Sequence, residues 1–350
     1  MSTDLKRFAA AAAAVMFAFT PGAFGDRQNV HAAAADSAEV SADSSEKVTE
    51  NTDKTLDIVV DIFPVYDWVR EITAGAGDTN ITLLSRNGVD IHSFQPSVDD
   101  IISISTCDVF IYVGGESENW IKGALDEAVN GDMIVIDLLN LAGDAVKEEE
   151  IKEGMQSDEH EHEDGHDEEV ESEADEHIWL SLKSAALLCG GITEALSSAD
   201  EKNAALYSSN NSSYCEKLAE LDEEYAAAAA AGSKDTVIFA DRFPFRYLMD
   251  DYGLDYFAAF AGCSAETEAS FETILFLGKK VEELGIDVIL QTESAGGQIA
   301  ETVREVTAKG VQDILTMDSL QSVNSERIEK GVTYISVMRE NLEVLIRALQ

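Results

Sequence analysis

From residue 56 onward, short apolar runs rich in Val, Ile and Phe alternate with longer stretches of helical periodicity. This is the pattern of βαβ units, whose parallel strands are covered on both faces and so read as apolar runs rather than as alternation. Four runs fall in the first half, at 56–63, 80–84, 109–113 and 133–138, and four in the second, at 237–240, 254–260, 288–292 and 314–317. The expected fold class is α/β, with two lobes that each hold a four-stranded parallel sheet flanked by helices. Between the halves, residues 200–231 carry Leu206, Leu218, Leu221 and Tyr225 at helix-compatible spacings, with neither Pro nor Gly before Gly232. A helix of that length runs on the order of 40 Å, enough for a spine joining two lobes. A second helix over 181–197 precedes it. The expected organisation is an N-terminal lobe over 55–199, a linking helix over 200–231 and a C-terminal lobe over 232–350.

Ahead of these elements lies a different kind of sequence. Lys6 and Arg7 precede an apolar run at 8–19, which has the length of a secretory signal core and is too short to span a bilayer comfortably. Residues 1–25 are therefore read as a signal peptide, and 26–54, rich in Ala, Ser, Asp and Glu, as a disordered spacer. The run holds no cysteine for a lipid anchor of the usual kind. The expected location is outside the cytoplasm, at the cell surface or in a periplasm.

Composition narrows the chemistry. The chain has 68 acidic and 24 basic residues, a formal net charge of −44, a field that repels nucleic-acid phosphates and draws in cations. Nucleic acid is excluded as a partner. Four cysteines without C-x-x-C spacing lend no support to thiolate zinc knuckles, so a metal is expected on N and O donors. Cys189 and Cys215 each lie 13 positions from Lys202, in the turn between the two central helices. They are either a disulfide or two small buried thiols.

The segment 147–176 holds 16 acidic residues and almost no apolar ones, so it is expected to be a mobile loop. Three of the chain's six histidines, His160, His162 and His166, fall within it. Neutral imidazoles concentrated among carboxylates suit a metal-attracting tether better than a merely solvated charge run.

Open α/β sheets bind ligands beyond the carboxyl ends of their strands. In the first half those ends lead to His92, to Gly114-Gly115-Glu116-Ser117-Glu118-Asn119-Trp120 and, through the acidic segment, to His177. In the second half the first strand leads to Asp241 and Arg242, the third to Glu293 and the fourth to Asp318. Two histidines from one lobe facing acids from the other form a candidate metal site.

Taken in order, these motifs resemble a known family. His92 lies ahead of Pro96-Ser97, then come the Gly114-Gly115 turn with Trp120, the acidic histidine stretch, Asp175-Glu176-His177-Ile178-Trp179-Leu180-Ser181 and the long helix. The chain is similar over nearly all of 56–350 to the ZnuA/TroA-like solute-binding receptors of ABC importers for zinc and manganese. The resemblance implies capture of Zn2+, with Mn2+ the alternative, between lobes that a stiff spine lets close only modestly, and delivery to a membrane permease. It implies His92, His177 and Asp318 as ligands. Two motif positions differ from the family's usual residues, Gln95 standing for Glu and Glu176 for Pro. The larger departure is the third ligand: the family's His or Glu aligns with Arg242, a permanent cation that cannot hold a metal. Either Asp241 replaces it, which is the expectation, or water completes a site of His92, His177 and Asp318; Glu293 and Arg242 are expected behind the ligands, Arg242 paired with Glu293 or Asp318. The rivals are a metallohydrolase, for which no separate general base is indicated, and an extracellular metal buffer or adhesin using the same site.

Overall fold

The computed structural model describes residues 55–156, 173–264 and 268–350. The signal peptide and spacer read at 1–54 and the three histidines at 160, 162 and 166 lie outside the described residues. In the first half, β1 (Leu56–Val60), α1 (Phe63–Ile72), β2 (Thr79–Leu83), α2 (Val98–Thr106), β3 (Val109–Tyr112), α3 (Trp120–Asp126), β4 (Ile134–Asp137) and α4 (Leu138–Ala142) succeed one another. The strands form a parallel sheet of order β2-β1-β3-β4. Two helices follow, α5 (Leu182–Ala199) and α6 (Ala204–Ala231). The second half runs β5 (Thr236–Phe243), α7 (Arg246–Tyr252), β6 (Asp255–Ala261), α8 (Phe271–Leu284), β7 (Val288–Thr292), α9 (Gln298–Val306), β8 (Asp313–Met317), α10 (Ser325–Glu329) and α11 (Tyr334–Ala348). Its parallel sheet has the order β6-β5-β7-β8. The α/β fold with two four-stranded parallel sheets is as the apolar runs predict. All eight strands fall on the predicted runs, the main shift being β5, which continues through Asp241 and Arg242 to Phe243.

Local chemistry sets the element ends. Ser97 and Asp100 form a reciprocal capping box at the start of α2, and Thr333 with Ser336 does the same for α11, each satisfying two otherwise orphaned N–H groups. Helix α6 has 28 residues, about 42 Å, and ends where Gly232 follows a run of six alanines. It buries Tyr207, Tyr214, Leu218, Leu221 and Tyr225 along one face and packs on α5, α1 and α11. The main hydrophobic core passes without interruption from Val60 and Ile111 of the first sheet, through Leu218 and Tyr225 of α6, to Val237 and Leu290 of the second. Buried hydroxyls also join the halves: Tyr334 donates to the Trp179 carbonyl (2.7 Å) and Tyr247 to that of Asp175 (2.8 Å).

The acidic segment departs from expectation at its ends. Glu149 N–H donates to the Glu173 carbonyl and Asp175 N–H to that of Lys147, both at 2.8 Å, forming a short neck. Gln156 then pairs with β6, donating its N–H to the Ala259 carbonyl (2.9 Å). An outer strand offers unpaired backbone groups, and these residues take them up despite their acidic character. Cys189 and Cys215 are both free thiols, the second with its Sγ toward the Ala186 carbonyl.

Candidate metal centre

Two imidazoles meet between the lobes. His92 sits in a short 3₁₀ turn (Ile91–Ser93) whose cap, Asp90, accepts from the His92 N–H at 3.0 Å. His177, fully buried, precedes a second 3₁₀ turn (Ile178–Leu180). The Nε2 atoms of His92 and His177 are 3.1 Å apart. Each Nδ1 is already engaged, that of His177 with Asp175 Oδ1 at 2.9 Å and that of His92 with Ser117 Oγ at 2.7 Å. Asp175 Oδ1 also accepts from the His177 N–H at 2.9 Å, so one carboxylate holds both the tautomer and the tilt of the ring, as carboxylates behind metal-ligating histidines do. With Nδ1–H committed to Asp175, His177 presents a bare lone pair to His92. Burial, followed by the neighbouring His177, pushes the His92 imidazole down to about 3, toward the neutral form a metal requires.

The surroundings are acidic and partly unsatisfied. Glu176 is buried; its Oε1 accepts from the Ser117 N–H at 2.8 Å, while its Oε2 lies 3.5 Å from His92 Nδ1 and has no hydrogen-bond partner. Burial raises this carboxyl above the usual range, offset in part by the Ser117 N–H and hydroxyl. Gly115 leaves room for it: a Cβ there would stand 2.4 Å from Glu176 Oε1, and its φ of +97° suits glycine. From the other lobe, the backbone at Gly262 presses on the ring of His177, where a Cβ would come within 2.8 Å of Cε1. One residue on, Cys263 anchors its N–H on Glu149 Oε1 at 2.9 Å. Burial pushes its thiol pKa up, and the acids Glu149, Glu176 and Asp175 push it the same way.

Among the described residues, the donor atoms that close into a group are those of His92, His177 and Cys263, all within 4.8 Å of one another. Tetrahedral zinc, with bonds of about 2.0–2.1 Å to nitrogen and 2.3 Å to sulfur, sets N to N edges of about 3.3 Å and N to S edges of about 3.6 Å. Closing the 4.8 Å spread of the group onto these edges draws its most distant atoms together by about 1.2 Å. A thiol thus stands beside the imidazoles, where the sequence leads to an expectation of N and O donors alone.

The acids expected as ligands are engaged elsewhere. Asp241 lies where the β5–β6 register shifts between Phe239 and Arg242, and the extra residue turns its carboxylate toward β7. There Oδ2 accepts from the Thr292 N–H at 3.0 Å and from its hydroxyl. Asp318 Oδ2 pairs with Arg327 at 2.6 Å and its Oδ1 accepts from the Leu320 N–H at 2.8 Å. Glu293 accepts from the N–H and hydroxyl of Ser319, both at 2.8 Å. Arg242 pairs with neither Glu293 nor Asp318. Its guanidinium instead reaches Asp90 of the other lobe at 2.9 Å, because Asp90 is the acid that the His92 turn brings to that face. Sequence reasoning missed Cys263, although it stands two residues beyond β6, where a complete survey of strand ends reaches it.

A family model described as zinc-uptake complex component A, periplasmic, matches residues 58–348. The chain belongs to this ZnuA family. A zinc-binding protein AdcA of Streptococcus pyogenes serotype M3 is 30% identical over 297 residues, covering 82% of this chain and 55% of that protein. The high-affinity zinc uptake system protein ZnuA of Bacillus subtilis is 29% identical over 291 residues, covering 83% and 86%. The chain thus spans about half the length of the streptococcal relatives it matches. Among solved structures, the Zn(II)-bound ZnuA-like domain of Streptococcus pneumoniae AdcA superposes with a TM-score of 0.65 at 26% identity, covering 84% of this chain and 99% of that one. The metal-dependent lipoprotein YcdH of Bacillus subtilis gives 0.67 at 25%, with the same coverage. These ZnuA-like structures share the fold described above.

Proposed function

We propose that this chain is an extracytoplasmic zinc receptor, which captures Zn2+ between its lobes on His92 and His177 and hands it to the membrane permease of an ABC importer. The observation that carries the reading is the pair of facing Nε2 atoms, 3.1 Å apart, with both Nδ1 atoms already occupied. Two ring nitrogens aimed at each other at this distance mark one point for a cation, reached by the lone pair that the Asp175-held tautomer leaves on His177 Nε2 and by that of His92 Nε2 once Ser117 accepts from His92 Nδ1–H. The relatives are zinc-binding and zinc-uptake proteins, which supports zinc, and imidazole donors favour it over manganese, which suits oxygen ligands better. The activity is binding and release rather than catalysis. Asp241 and Asp318, tied to Thr292 and Arg327, shape the rim of the second lobe, and His160, His162 and His166 collect metal ahead of transfer.

Equilibrium dialysis of the purified chain with elemental analysis tests the receptor reading. One tightly held zinc per chain is expected, weakened by orders of magnitude in His92→Ala and in His177→Ala. Wild-type affinity in both variants removes the two histidines from the site. Restored growth of a zinc-uptake-deficient bacterium by the chain together with its permease tests the transport step.

A further inference from the structure

The second lobe must contribute to the site if metal binding is to hold the lobes together, and the acids expected to do so are occupied. Asp241 is turned to Thr292, Asp318 to Arg327 and Glu293 to Ser319, while Arg242 is a cation paired with Asp90. What the second lobe does bring to the imidazoles is a sulfur atom. We propose that Cys263 ligates the metal through its thiolate, giving a His92, His177, Cys263 site that closes across the two lobes; the proposal rests on the receptor reading above.

Three features support it. Cys263 Sγ lies within 4.8 Å of the ligand nitrogens of both histidines. Its N–H is held by Glu149 Oε1 at 2.9 Å, beside the neck that ends at Asp175, so the same short segment orients both the thiol and the carboxylate behind His177. The preceding Gly262 has no side chain to keep β6 away from the His177 ring, where a Cβ would stand 2.8 Å from Cε1 and 3.0 Å from Nδ1. The thiol is thereby carried up to the imidazoles. On binding, a zinc–sulfur bond forms, the S–H bond breaks, and the proton leaves to solvent, so loading releases a proton that an all-imidazole, carboxylate site would not. Zinc accepts sulfur at about 2.3 Å without geometric preference of its own, and a donor set of two nitrogens and one sulfur is softer than the all-N,O set expected from the acids, which weighs further against manganese.

The test loads the metal-free full chain with cobalt(II) and records its absorption. A thiolate ligand gives an intense sulfur-to-cobalt charge-transfer band in the near ultraviolet, and visible bands of tetrahedral intensity. The expected result is that band in the wild type, its loss in Cys263→Ser, and a zinc affinity lowered by at least about 100-fold in that variant. In Cys263→His the band is lost while much of the affinity returns. A wild-type cobalt adduct lacking the charge-transfer band, with zinc still bound tightly, overturns the thiolate and leaves the receptor reading standing. Failure of the wild type to bind either metal tightly overturns both. The wild-type spectrum alone decides the matter should Cys263→Ser fold poorly.

Discussion

Replacing Gly262 by alanine probes the site without touching a donor atom. The added Cβ would lie 2.8 Å from His177 Cε1, 3.0 Å from His177 Nδ1 and 2.9 Å from the Phe243 carbonyl oxygen. Carbon atoms rest at about 3.5–4.0 Å, so the ring side alone demands a displacement of about 0.7 Å. Neither neighbour yields easily. The imidazole is fully buried, bonded to Asp175 and packed on Trp179 with ring centroids 5.3 Å apart, and the carbonyl belongs to the end of β5. Either the His177 ring tilts away from His92 or the end of β6 lifts and takes Cys263 with it. Binding constellations tolerate about 0.5 Å, so zinc affinity should fall by about 100-fold, or about 2.7 kcal/mol, at the upper end of what displaced supporting groups cost. Stability of the metal-free chain should fall by about 1–3 kcal/mol, the usual penalty of overpacking. Competition with a chromophoric chelator measures the first quantity and denaturant unfolding the second. Gly123→Ala is the control, because nothing lies within 4 Å of its Cβ and it sits in a helix, where alanine should be neutral or stabilising. Zinc binding at wild-type strength in Gly262→Ala would refute the idea that this close approach positions His177.

Other perturbations separate the remaining parts. Asp175→Asn should lower zinc affinity by about 10-fold or more by taking the charge from behind His177, measured by the same chelator competition; no change would mean that the Asp175 contact merely packs. Asp241→Asn should bind zinc as the wild type does, because its carboxylate serves Thr292, and a large loss in the titration would restore Asp241 to the ligand set. Arg242→Ala breaks the ion pair with Asp90 that joins the lobes; calorimetry should show about 1–3 kcal/mol less stability at an unchanged stoichiometry of bound zinc. Asp67, buried and bonded to the Tyr334 N–H and to Arg70, has its carboxyl raised to about 6, chiefly by burial. The folded chain therefore holds that proton more tightly than the unfolded one, so this stabilisation is complete below about pH 4 and lost as pH rises toward 6. It amounts to at most about 3 kcal/mol, and Asp67→Asn should flatten that part of the stability profile, an effect that parallel curves for the two proteins would disprove.

How far the sequence could be read depended on the range of the interactions involved. Parallel strands buried on both faces have to be continuous apolar runs, so all eight stood out, and α6 was evident from its spaced aromatic and leucine positions. His92 and His177 were accessible because a strand end in an open sheet faces the ligand whatever its neighbours do. The acids were different. Whether Asp241 faces the cleft depends on one extra residue in β5 and on Thr292, 51 positions away, and Arg242 found its partner 152 positions away, in Asp90. Cys263 gives no signal of this kind, because C-x-x-C spacing marks sites built from several thiolates and says nothing of a single sulfur beside two imidazoles. The ordered ends of the acidic segment were missed because composition registers the scarcity of apolar side chains and not the backbone groups that β6 offers to Gln156.

The uninterrupted core beneath both sheets has a consequence for how the molecule comes apart. Because α6 presents Leu218 and Tyr225 to apolar groups drawn from both halves, neither half owns a complete interior, and severing the chain at the spine would leave each fragment with a wet, aromatic-lined face. Unfolding should then proceed as one cooperative event, with a single calorimetric peak, and neither half should persist as a separate thermodynamic unit. Loss of a buried contact such as Tyr225 Oη to the Met338 carbonyl, at 2.6 Å, should accordingly lower the single transition of the whole molecule rather than split it.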